Sequence, residues 1–297
     1  MAEQDDKLAG PPRDDDVIVR VVDVGKVFGD HVVLDGVNLE IHRGETMVIM
    51  GGSGCGKSTL LRLMVGSMAP ESGHVDLLGK NLNDLDDNGL DALRLRAGVL
   101  FQSGALFNSL TVAENVALPL REHTKLDDAT INIIVKIKLE LVGLREAADL
   151  MPAEISGGMK KRAGLARAVA LDPEVLFYDE PSSGLDPVTN AEIDQLMMDL
   201  AGKLGVTSVV VTHEMNSAFR IADRMAMLDK GRILKVGPRA QFAALRDGPA
   251  CGDTTNDLIR QFLRGDSTGP LTERRRDTGY EEEILAAGGA PKRRWWF

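Results

Sequence analysis

The sequence is poor in the features that would indicate disulfides, a membrane span or a nucleic-acid partner. Its 297 residues include only two cysteines, Cys55 and Cys251, which excludes a disulfide framework. No apolar run approaches the ~18 residues of a spanning helix, so we expect no span. Basic residues number 35 against 45 acidic ones, and the resulting net charge of -10 disfavours a nucleic-acid partner. We therefore expect a globular protein of a reducing cytosol.

The residues that are present divide the sequence into three parts. Residues 1–16 are rich in Asp, Pro and Gly, lack the apolar core of a signal peptide, and are expected to form a disordered leader. Residues 17–250 alternate strand and helix patterns, as an α/β domain does, with mostly helical spacing over about 103–171. Residues 251–297 turn polar, and we expect a partly disordered C-terminal extension there.

A glycine-rich turn follows the strand pattern ETMVIM and precedes a helical pattern. It reads GGSGCGKS over residues 51–58 and fits the phosphate-loop motif in the strand–loop–helix context that this motif needs. Glycines let backbone N–H groups turn toward phosphate oxygens, and the following helix adds its positive end. Lys57 is expected to reach the β- and γ-phosphates, and Ser58 to offer an oxygen to Mg²⁺. The expected nucleotide-binding residues are Gly51, Gly52, Ser53, Gly54, Cys55, Gly56, Lys57, Ser58 and Thr59, with Cys55 a small loop residue and not a nucleophile.

An apolar strand pattern, EVLFYDE at residues 174–180, ends in two carboxylates. Two acids at the end of a buried apolar strand indicate that they face a functional site. The phosphate loop upstream provides a nucleotide-binding site that they could face. Asp179 fits the acid that supports Mg²⁺ in phosphate-loop enzymes. Glu180 is then the candidate general base that polarises the attacking water. The alternative is an Asp-Glu pair that only caps the strand.

A second glycine-containing helix start lies downstream, in ISGGMKKRAGLARAVAL at residues 155–171. Ser156, Gly157 and Gly158 form another anion-binding helix N-terminus in a chain whose phosphate loop already holds a triphosphate. This duplication suggests that two copies pair head to tail and share two nucleotides. Four basic residues of this helix are expected to form a solvated face instead of a nucleic-acid patch: Lys160, Lys161, Arg162 and Arg167.

These motifs resemble the ATPases of ATP-binding cassette (ABC) transporters, and the resemblance covers roughly residues 17–250. Further family motifs follow in order: Gln102, then SGLDP at residues 183–187, then His213 after a strand. The resemblance implies that Gln102 contacts Mg²⁺ and water, that Asp186 lines a dimer interface, and that His213 contacts the γ-phosphate. A single Gln or His is more often structural than functional. The functional interpretation of Gln102 and His213 therefore depends on the order and spacing of all the family motifs.

The same resemblance implies a fold, a set of cofactors and an assembly. The fold is an α/β P-loop NTPase with a RecA-like core, an antiparallel β-subdomain and an inserted helical subdomain. The cofactors are ATP and Mg²⁺, with Ser58, Gln102 and Asp179 at the metal, and the working unit is a homodimer with two ATPs between phosphate loop and signature. Phe28 would stack on adenine, a core Phe being the alternative. The signature departs from its commonest form at Ile155 and Met159, while its serine and both glycines are kept.

Stretches outside the generic motifs are similar to the ATPase of Mla-type phospholipid transporters. They are FQSGALF at residues 101–107, PLREHT at 119–124 and IRQFLRG at 259–265. This resemblance implies a membrane permease, a lipid-binding MCE protein, and a peripheral position on the cytoplasmic face of the inner membrane through the permease. Five residues are apolar enough to line the permease-docking groove, with helical-subdomain core as the alternative: Leu106, Phe107, Leu110, Val112 and Leu118.

Several alternatives remain open at this point. An ABC ATPase that serves another substrate, such as an amino acid or a steroid, is the main one, and a soluble ABC protein of translation or DNA repair is less favoured. In the C-terminal extension, the apolar stripe of DLIRQFL is expected to pack on a neighbouring ATPase subunit. The terminal Trp295, Trp296 and Phe297 are interpreted as a docking plug, an interfacial anchor or a tail without a role.

Overall fold

The computed structural model describes residues 16–250 and 252–272. The chain divides into two compact units, residues 1–239 and residues 240–297. The expected leader therefore lies outside the described residues apart from Asp16, as do the three C-terminal aromatic residues. Within the described part, no helix is long and apolar enough to cross a membrane.

The strands and helices alternate along the chain much as the sequence patterns indicate. The strands are β1 (Val17–Phe28), β2 (His31–His42), β3 (Thr46–Met50), β4 (Ser72–Leu77), β5 (Lys80–Asn81), β6 (Ala97–Leu100), β7 (Val175–Asp179), β8 (Thr207–Thr212), β9 (Arg224–Asp229) and β10 (Arg232–Pro238). The helices are α1 (Lys57–Met64), α2 (Asp87–Arg94), α3 (Val112–His123), α4 (Asp128–Leu141), α5 (Gly157–Ala168), α6 (Pro187–Leu204), α7 (Met215–Ile221), α8 (Arg239–Asp247) and α9 (Thr254–Arg264).

A four-stranded antiparallel sheet, in the order β2-β1-β4-β5, forms the first layer of the larger unit. Its buried apolar residues, which alternate along β2 and are interrupted by register shifts along β1, enter one core with residues of β3, α1 and the central strands. The β-branched residues of VIVRVVDVGKVF fit such a pleated, half-buried surface. The antiparallel subdomain expected from the sequence is therefore present.

A six-stranded sheet, in the order β10-β9-β3-β8-β7-β6, forms the second layer. Strands β9, β3, β8, β7 and β6 run parallel, and only β10 is antiparallel to its neighbour. Continuous apolar runs such as those of β3 and β8 are buried throughout, as strands covered on both faces must be. Because the strands are parallel, the phosphate loop, Asp179-Glu180 and His213 all follow strands at the same edge of the sheet.

Helices α3, α4 and α5 pack on one another around a separate apolar cluster that includes Val116, Val135 and Ala166. Helix α3 begins with a complete capping box, in which Thr111 accepts from the amide of Glu114 and Glu114 accepts from the amide of Thr111. Helix α5 is rich in Gly and Ala, which lets neighbouring backbones approach it closely. This helical layer therefore lies within the 103–171 region where the sequence predicts helices.

The smaller unit contains α9, which is short and has a strong apolar stripe. Asp253 caps its N-terminus, and Gly265 ends it in the left-handed conformation. The side chain of Gln261 then holds the following segment through Leu271 and Thr272. Leu258, Ile259 and Leu263 of the stripe are buried, and its expected packing on a neighbouring ATPase subunit stays a prediction.

Candidate functional site

The phosphate loop connects β3 to α1 and is held close to other backbone segments. A Cβ on Gly51 would lie 2.2 Å from the carbonyl oxygen of Leu228, so only glycine fits there. Gly56 has a φ of 106°, and a Cβ on it would lie 2.7 Å from Leu34 Cδ2. The loop geometry is therefore encoded by glycines that no other residue can replace without a shift of the backbone.

Lys57 is buried at the base of the phosphate loop. Its ammonium donates to the carbonyl oxygens of Gly51 at 2.8 Å and Gly52 at 3.1 Å. The same nitrogen lies 3.8 Å from Glu180 Oε1, which brings the loop cation and the candidate base into one cluster. The other predicted loop residues surround this cation, with Ser53 and Gly54 exposed and Thr59 half-buried on α1.

Ser58 and Asp179 meet across the gap between α1 and β7. The hydroxyl of Ser58 donates to Asp179 Oδ1 at 2.9 Å, so two hard oxygen donors lie side by side. Gln102 lies elsewhere in the cluster, and its amide nitrogen donates to Ser183 Oγ at 3.1 Å. Among the described residues no hydrogen bond joins Gln102 to Ser58 or Asp179, so two of the three expected metal residues are in direct contact.

Glu180 and His213 form the other half of the cluster. The buried carboxylate of Glu180 lies 2.9 Å from Nδ1 of His213, which follows β8. Glu180 itself has a φ of 50°, a left-handed conformation that is uncommon for a residue with a side chain. Such a conformation persists only where the surroundings hold it, and it aims the carboxylate at the phosphate-loop edge of the sheet.

Ser156, Gly157 and Gly158 lie at the start of α5, next to the start of α6. Ser156 Oγ accepts a hydrogen bond from the amide of Met159 at 3.2 Å and so caps its own helix. A Cβ on Gly158 would lie 2.6 Å from Thr189 Cγ2, which makes this glycine necessary for the packing of α5 on α6. Between the described residues no hydrogen bond links this helix start to the phosphate loop of the same chain.

Asp186 caps α6 immediately beside the signature. Its carboxylate accepts from the hydroxyl of Thr189 at 2.5 Å and from the amides of Val188 and Thr189. The hydrogen bond from the Thr189 hydroxyl, followed by that from its amide, lowers the pKa of Asp186. Asp186 is exposed, and so is the apolar side chain of Val188, as expected of residues that a second chain would cover.

Cys55 is buried inside the phosphate loop. Burial raises the pKa of its thiol, so the thiolate needed for nucleophilic chemistry is disfavoured. This supports the interpretation of Cys55 as a small loop residue.

The expected solvated basic face of α5 was wrong. Lys161 is 5% exposed and donates to backbone carbonyls of the turn that follows β7. Arg162 pairs with Glu192, and Arg167 donates to the carbonyl oxygens of Gly104 and Ala105. The sequence did contain a signal for this burial, since alanine and glycine occur on most faces of α5. A helix with small residues on most faces is usually packed on several sides.

A groove of about 450 Å³ lies between the loop after β6 and helices α3 and α5. Phe107, which is 53% exposed, and Leu118 line it as expected, and Arg167 lies 5.9 Å from the centre of the Phe107 ring. Leu106 and Leu110 do not line this groove. Val112 is fully buried in the helical core, so its assignment to the groove was wrong.

Phe28 ends β1, and its ring is 49% exposed. The ammonium of Lys26 lies 5.4 Å from the ring centre, while it donates to Ala69 and Glu71. The core alternative for Phe28 is therefore wrong, and an exposed aromatic face remains available at this end of the sheet.

Comparison with known proteins gives a family and several relatives. A profile described as ABC transporter matches residues 34–183. The intermembrane phospholipid transport system ATP-binding protein MlaF of Escherichia coli K12 is 42% identical over 268 residues, or 90% of this chain and 96% of MlaF. The probable ribonucleotide transport ATP-binding protein mkl of Mycobacterium leprae is 41% identical over 276 residues, or 92% of this chain and 77% of mkl.

Two solved structures have the same fold. A dimeric ATP-binding cassette, MJ0796 in a post-hydrolysis state bound to ADP and Pi, is 34% identical with a TM-score of 0.69, covering 74% of this chain and 98% of that one. The cbiO1 protein of Clostridium perfringens, part of the ABC transporter complex cbiONQ, is 31% identical with a TM-score of 0.72, covering 77% and 91%. These likenesses confirm the fold class expected from the sequence.

Proposed function

Because the chain belongs to the ABC transporter family and is one of its ATPases, we propose that it hydrolyses ATP to drive the movement of phospholipid between membranes. The observation that carries the phospholipid assignment is the match to MlaF, which extends over nearly the whole of that relative. The MlaF protein of Haemophilus influenzae matches in the same way.

The geometry of the phosphate loop supports nucleotide binding. Its backbone N–H groups and the N-terminus of α1 bind the phosphates, and Lys57 adds the cation that reaches the β- and γ-phosphates. The oxygens of Ser58 and Asp179, 2.9 Å apart, fit Mg²⁺, which prefers oxygen ligands and completes its shell with water and phosphate. Bound there, Mg²⁺ would neutralise charge that develops on the phosphates. Phe28 supplies the face on which adenine stacks.

Hydrolysis uses the carboxylate–imidazole pair. Glu180 accepts a proton from the attacking water and orients it, since its carboxylate is fixed near Lys57 by the buried turn. His213 contacts Glu180 on one ring nitrogen and presents the rest of its exposed ring toward the γ-phosphate. Gln102 transmits conformational changes of this cluster to the groove, because it connects Ser183 to the loop that lines the groove.

The complete site requires two copies of the chain. The signature residues Ser156, Gly157 and Gly158 act on the γ-phosphate bound by the other subunit, and Asp186 lines the interface beside them. ATP binding closes this homodimer and hydrolysis opens it. The exposure of Ser156, Gly157 and Asp186 on adjacent helix starts supports this arrangement.

The groove beside Phe107 is the docking site for a membrane permease. Its apolar lining, with Phe101, Phe107 and Leu118, fits the apolar face of a short helix. The permease holds the ATPase peripherally on the cytoplasmic face of the inner membrane, and an MCE-type protein receives or supplies the lipid.

A second candidate substrate comes from the other set of relatives. The mkl proteins are named for probable ribonucleotide transport, and their identity to this chain is nearly as high. The amino-acid and steroid alternatives are supported by none of the relatives described above.

Reconstitution of the complete transporter in vesicles tests the proposal. Vesicles that hold a labelled phospholipid are mixed with the lipid-binding partner, and transfer is followed with ATP and without it. The same vesicles loaded with a labelled ribonucleotide form the second arm, and Glu180→Gln is the energy control. We expect ATP-dependent phospholipid transfer that this variant abolishes; ATP-dependent ribonucleotide movement without lipid transfer would overturn the proposal.

A further inference from the structure

Lys161 is a buried cation whose hydrogen bonds to the described residues all go to backbone oxygens of one turn. It projects from the second turn of α5, and its ammonium lies 2.6 Å from the carbonyl oxygen of Pro181 and 2.6 Å from that of Ser183. The carbonyl oxygen of Glu180 is the third acceptor, at 3.4 Å. This turn connects β7, which carries Asp179, to α6.

The number of donors on Lys161 matches the number of acceptors around it. An ammonium has three N–H donors and a neutral amine has two, so only the charged form satisfies all three carbonyl oxygens. Burial lowers the pKa of Lys161 to about 8, and the carboxylate of Glu180 opposes this shift. The side chain is therefore mostly protonated at neutral pH, when all three contacts are available.

The turn that Lys161 holds carries the catalytic geometry of the site. Glu180 adopts its left-handed backbone conformation there, and its carboxylate contacts His213. Ser183, two residues beyond Pro181, accepts the hydrogen bond of Gln102. A left-handed conformation costs energy and relaxes unless its surroundings hold it, and Lys161 contacts three carbonyl oxygens in the first half of this turn, from Glu180 to Ser183.

Lys161 also lies one helical turn from the signature residues. Gly158 precedes it by three positions, and three residues of α-helix rise about 4.5 Å. A ligand that seats the start of α5 therefore fixes the position of the ammonium, and with it the turn behind Glu180.

We propose that Lys161 is a positioning residue for ATP hydrolysis, which ties the signature helix to the turn that holds Glu180 in the same chain. In the homodimer, this contact links the nucleotide held by the partner's phosphate loop to the catalytic carboxylate of the other site. The inference rests on the proposed function of Glu180 and Ser156.

A second buried lysine provides a matched control. Lys138 on α4 is also 5% exposed, and its ammonium pairs with the carboxylate of Asp172. Asp172 has a left-handed φ of 50°, as Glu180 has, but it lies at the end of α5 away from the signature. Replacing either lysine by Met removes a buried cation of the same size, and only one replacement touches the turn after β7.

Steady-state ATPase kinetics of Lys161→Met, Lys138→Met and Glu180→Gln test the proposal. We expect Lys161→Met to lower kcat roughly 10- to 100-fold, because a displacement of about 1 Å in a catalytic group has effects of that size. KM for ATP should stay within about twofold, because Lys161 contacts no residue of the phosphate loop. Lys138→Met should lower thermal stability to a similar extent and leave kcat near the unsubstituted value.

The outcomes separate this inference from the proposed function. If Lys161→Met keeps its kcat while Glu180→Gln is inactive, the inference is wrong and the function stands. If Glu180→Gln still hydrolyses ATP, the assignment of Glu180 as the base is wrong, and the inference about Lys161, which rests on it, is wrong as well. Equal losses of kcat in Lys161→Met and Lys138→Met would show a general effect of destabilisation and would also overturn the inference.

Lys161→Gln keeps the test decisive if Lys161→Met does not fold. Its amide supplies two N–H donors from a shorter side chain, so the buried turn stays partly satisfied. We expect a lower kcat, by roughly tenfold, at an unchanged KM. A kcat equal to that of the unsubstituted protein would contradict the role given to Lys161.

Discussion

The two glycine-containing helix starts of this chain differ in what their amide groups contact. Helix α1 begins after Gly56, which has no side chain to accept from the helix amides. Helix α5 begins after Ser156, whose hydroxyl already accepts from the amide of Met159. The first start therefore leaves its amides to a ligand, whereas the second has the amide of Met159 already bonded to its own serine.

Their surroundings differ in the same direction. Lys57, Asp179 and Glu180 of one chain converge beside α1, so this end has a cation together with the two carboxylates proposed to support Mg²⁺ and to act as the base. The start of α5 has Leu185 and Thr189 as packing neighbours and contacts none of those groups. A phosphate-binding motif without catalytic groups of its own is useful only where another chain supplies them. We therefore propose that the chemistry occurs beside α1 and that the start of α5 recognises the nucleotide of the other chain.

The largest expected effect comes from removing the base beside α1. Glu180→Gln should lower kcat about 10²- to 10⁴-fold, the usual contribution of a general base, because the amide cannot accept the proton. ATP binding should persist, since Lys57 and the loop are unchanged, and ATP-bound dimers should accumulate. Phosphate release and size-exclusion chromatography in ATP measure the two effects.

Glu174→Gln is the matched control for this variant. Glu174 lies just before β7, at the end opposite Glu180, and pairs with Arg43 and Arg96. Its loss should affect stability slightly and leave kcat unchanged. A Glu180→Gln protein that hydrolyses ATP as fast as Glu174→Gln would remove the distinction between the two helix starts.

Mixing two inactive variants tests whether the two helix starts belong to different chains of one site. Ser156→Arg blocks recognition, and Lys57→Ala disables the phosphate loop. In a mixed dimer both lesions fall on one site and the other site is intact. With random pairing, half of the dimers are mixed, so about a quarter of all sites are restored, and ATPase activity should approach that fraction if one site suffices.

The control is each variant alone at the same total concentration, where no intact site exists. Formation of mixed dimers is verified with two affinity tags. If mixed dimers form and activity stays at the level of the single variants, the signature does not complete the site of the other chain, or the two sites cannot work independently.

The sequence predicted the α1 side of this comparison well, because short-range rules determine it. A strand, a glycine loop and a helix start are contiguous in the chain, so the motif can be read directly. The contacts that require glycine at 51 and 56 come from Leu228 and Leu34, which are distant in the chain, and the motif alone does not predict them. The contact of Ser58 with Asp179 also follows, since parallel strands end at one edge of a sheet. Where strand order and motif spacing suffice, the geometry is predictable.

The α5 side was predicted less well, because long-range packing determines it. Charge alone suggested a solvated face, yet Lys161 is buried by a turn about 20 residues away in the chain, and Arg167 by a loop more than 60 residues away. Hydropathy also could not separate Val112, which is core, from Phe107, which is exposed. Three sets of expectations stay predictions: the roles of the site residues, the positions of the domain boundaries, and the role of the C-terminal aromatic residues.

The smallest expected effect distinguishes the two functions of Ser156. Ser156→Ala removes the cap of α5 and should destabilise the protein by about 1 kcal/mol, or lower Tm by roughly 2–4 °C. It should also lower ATPase activity, because the hydroxyl proposed to contact the phosphate bound by the other chain is lost. Thermal unfolding and phosphate release are measured on the same samples.

Thr111→Ala separates the cap from the recognition, because Thr111 caps α3 in the same way and lies away from the phosphate loop. The two variants should lose similar stability, since each leaves one helix amide without its acceptor. Only Ser156→Ala should lose activity. If both variants lose stability alone, Ser156 is a helix cap and nothing more, and recognition at α5 must then depend on its amides and glycines.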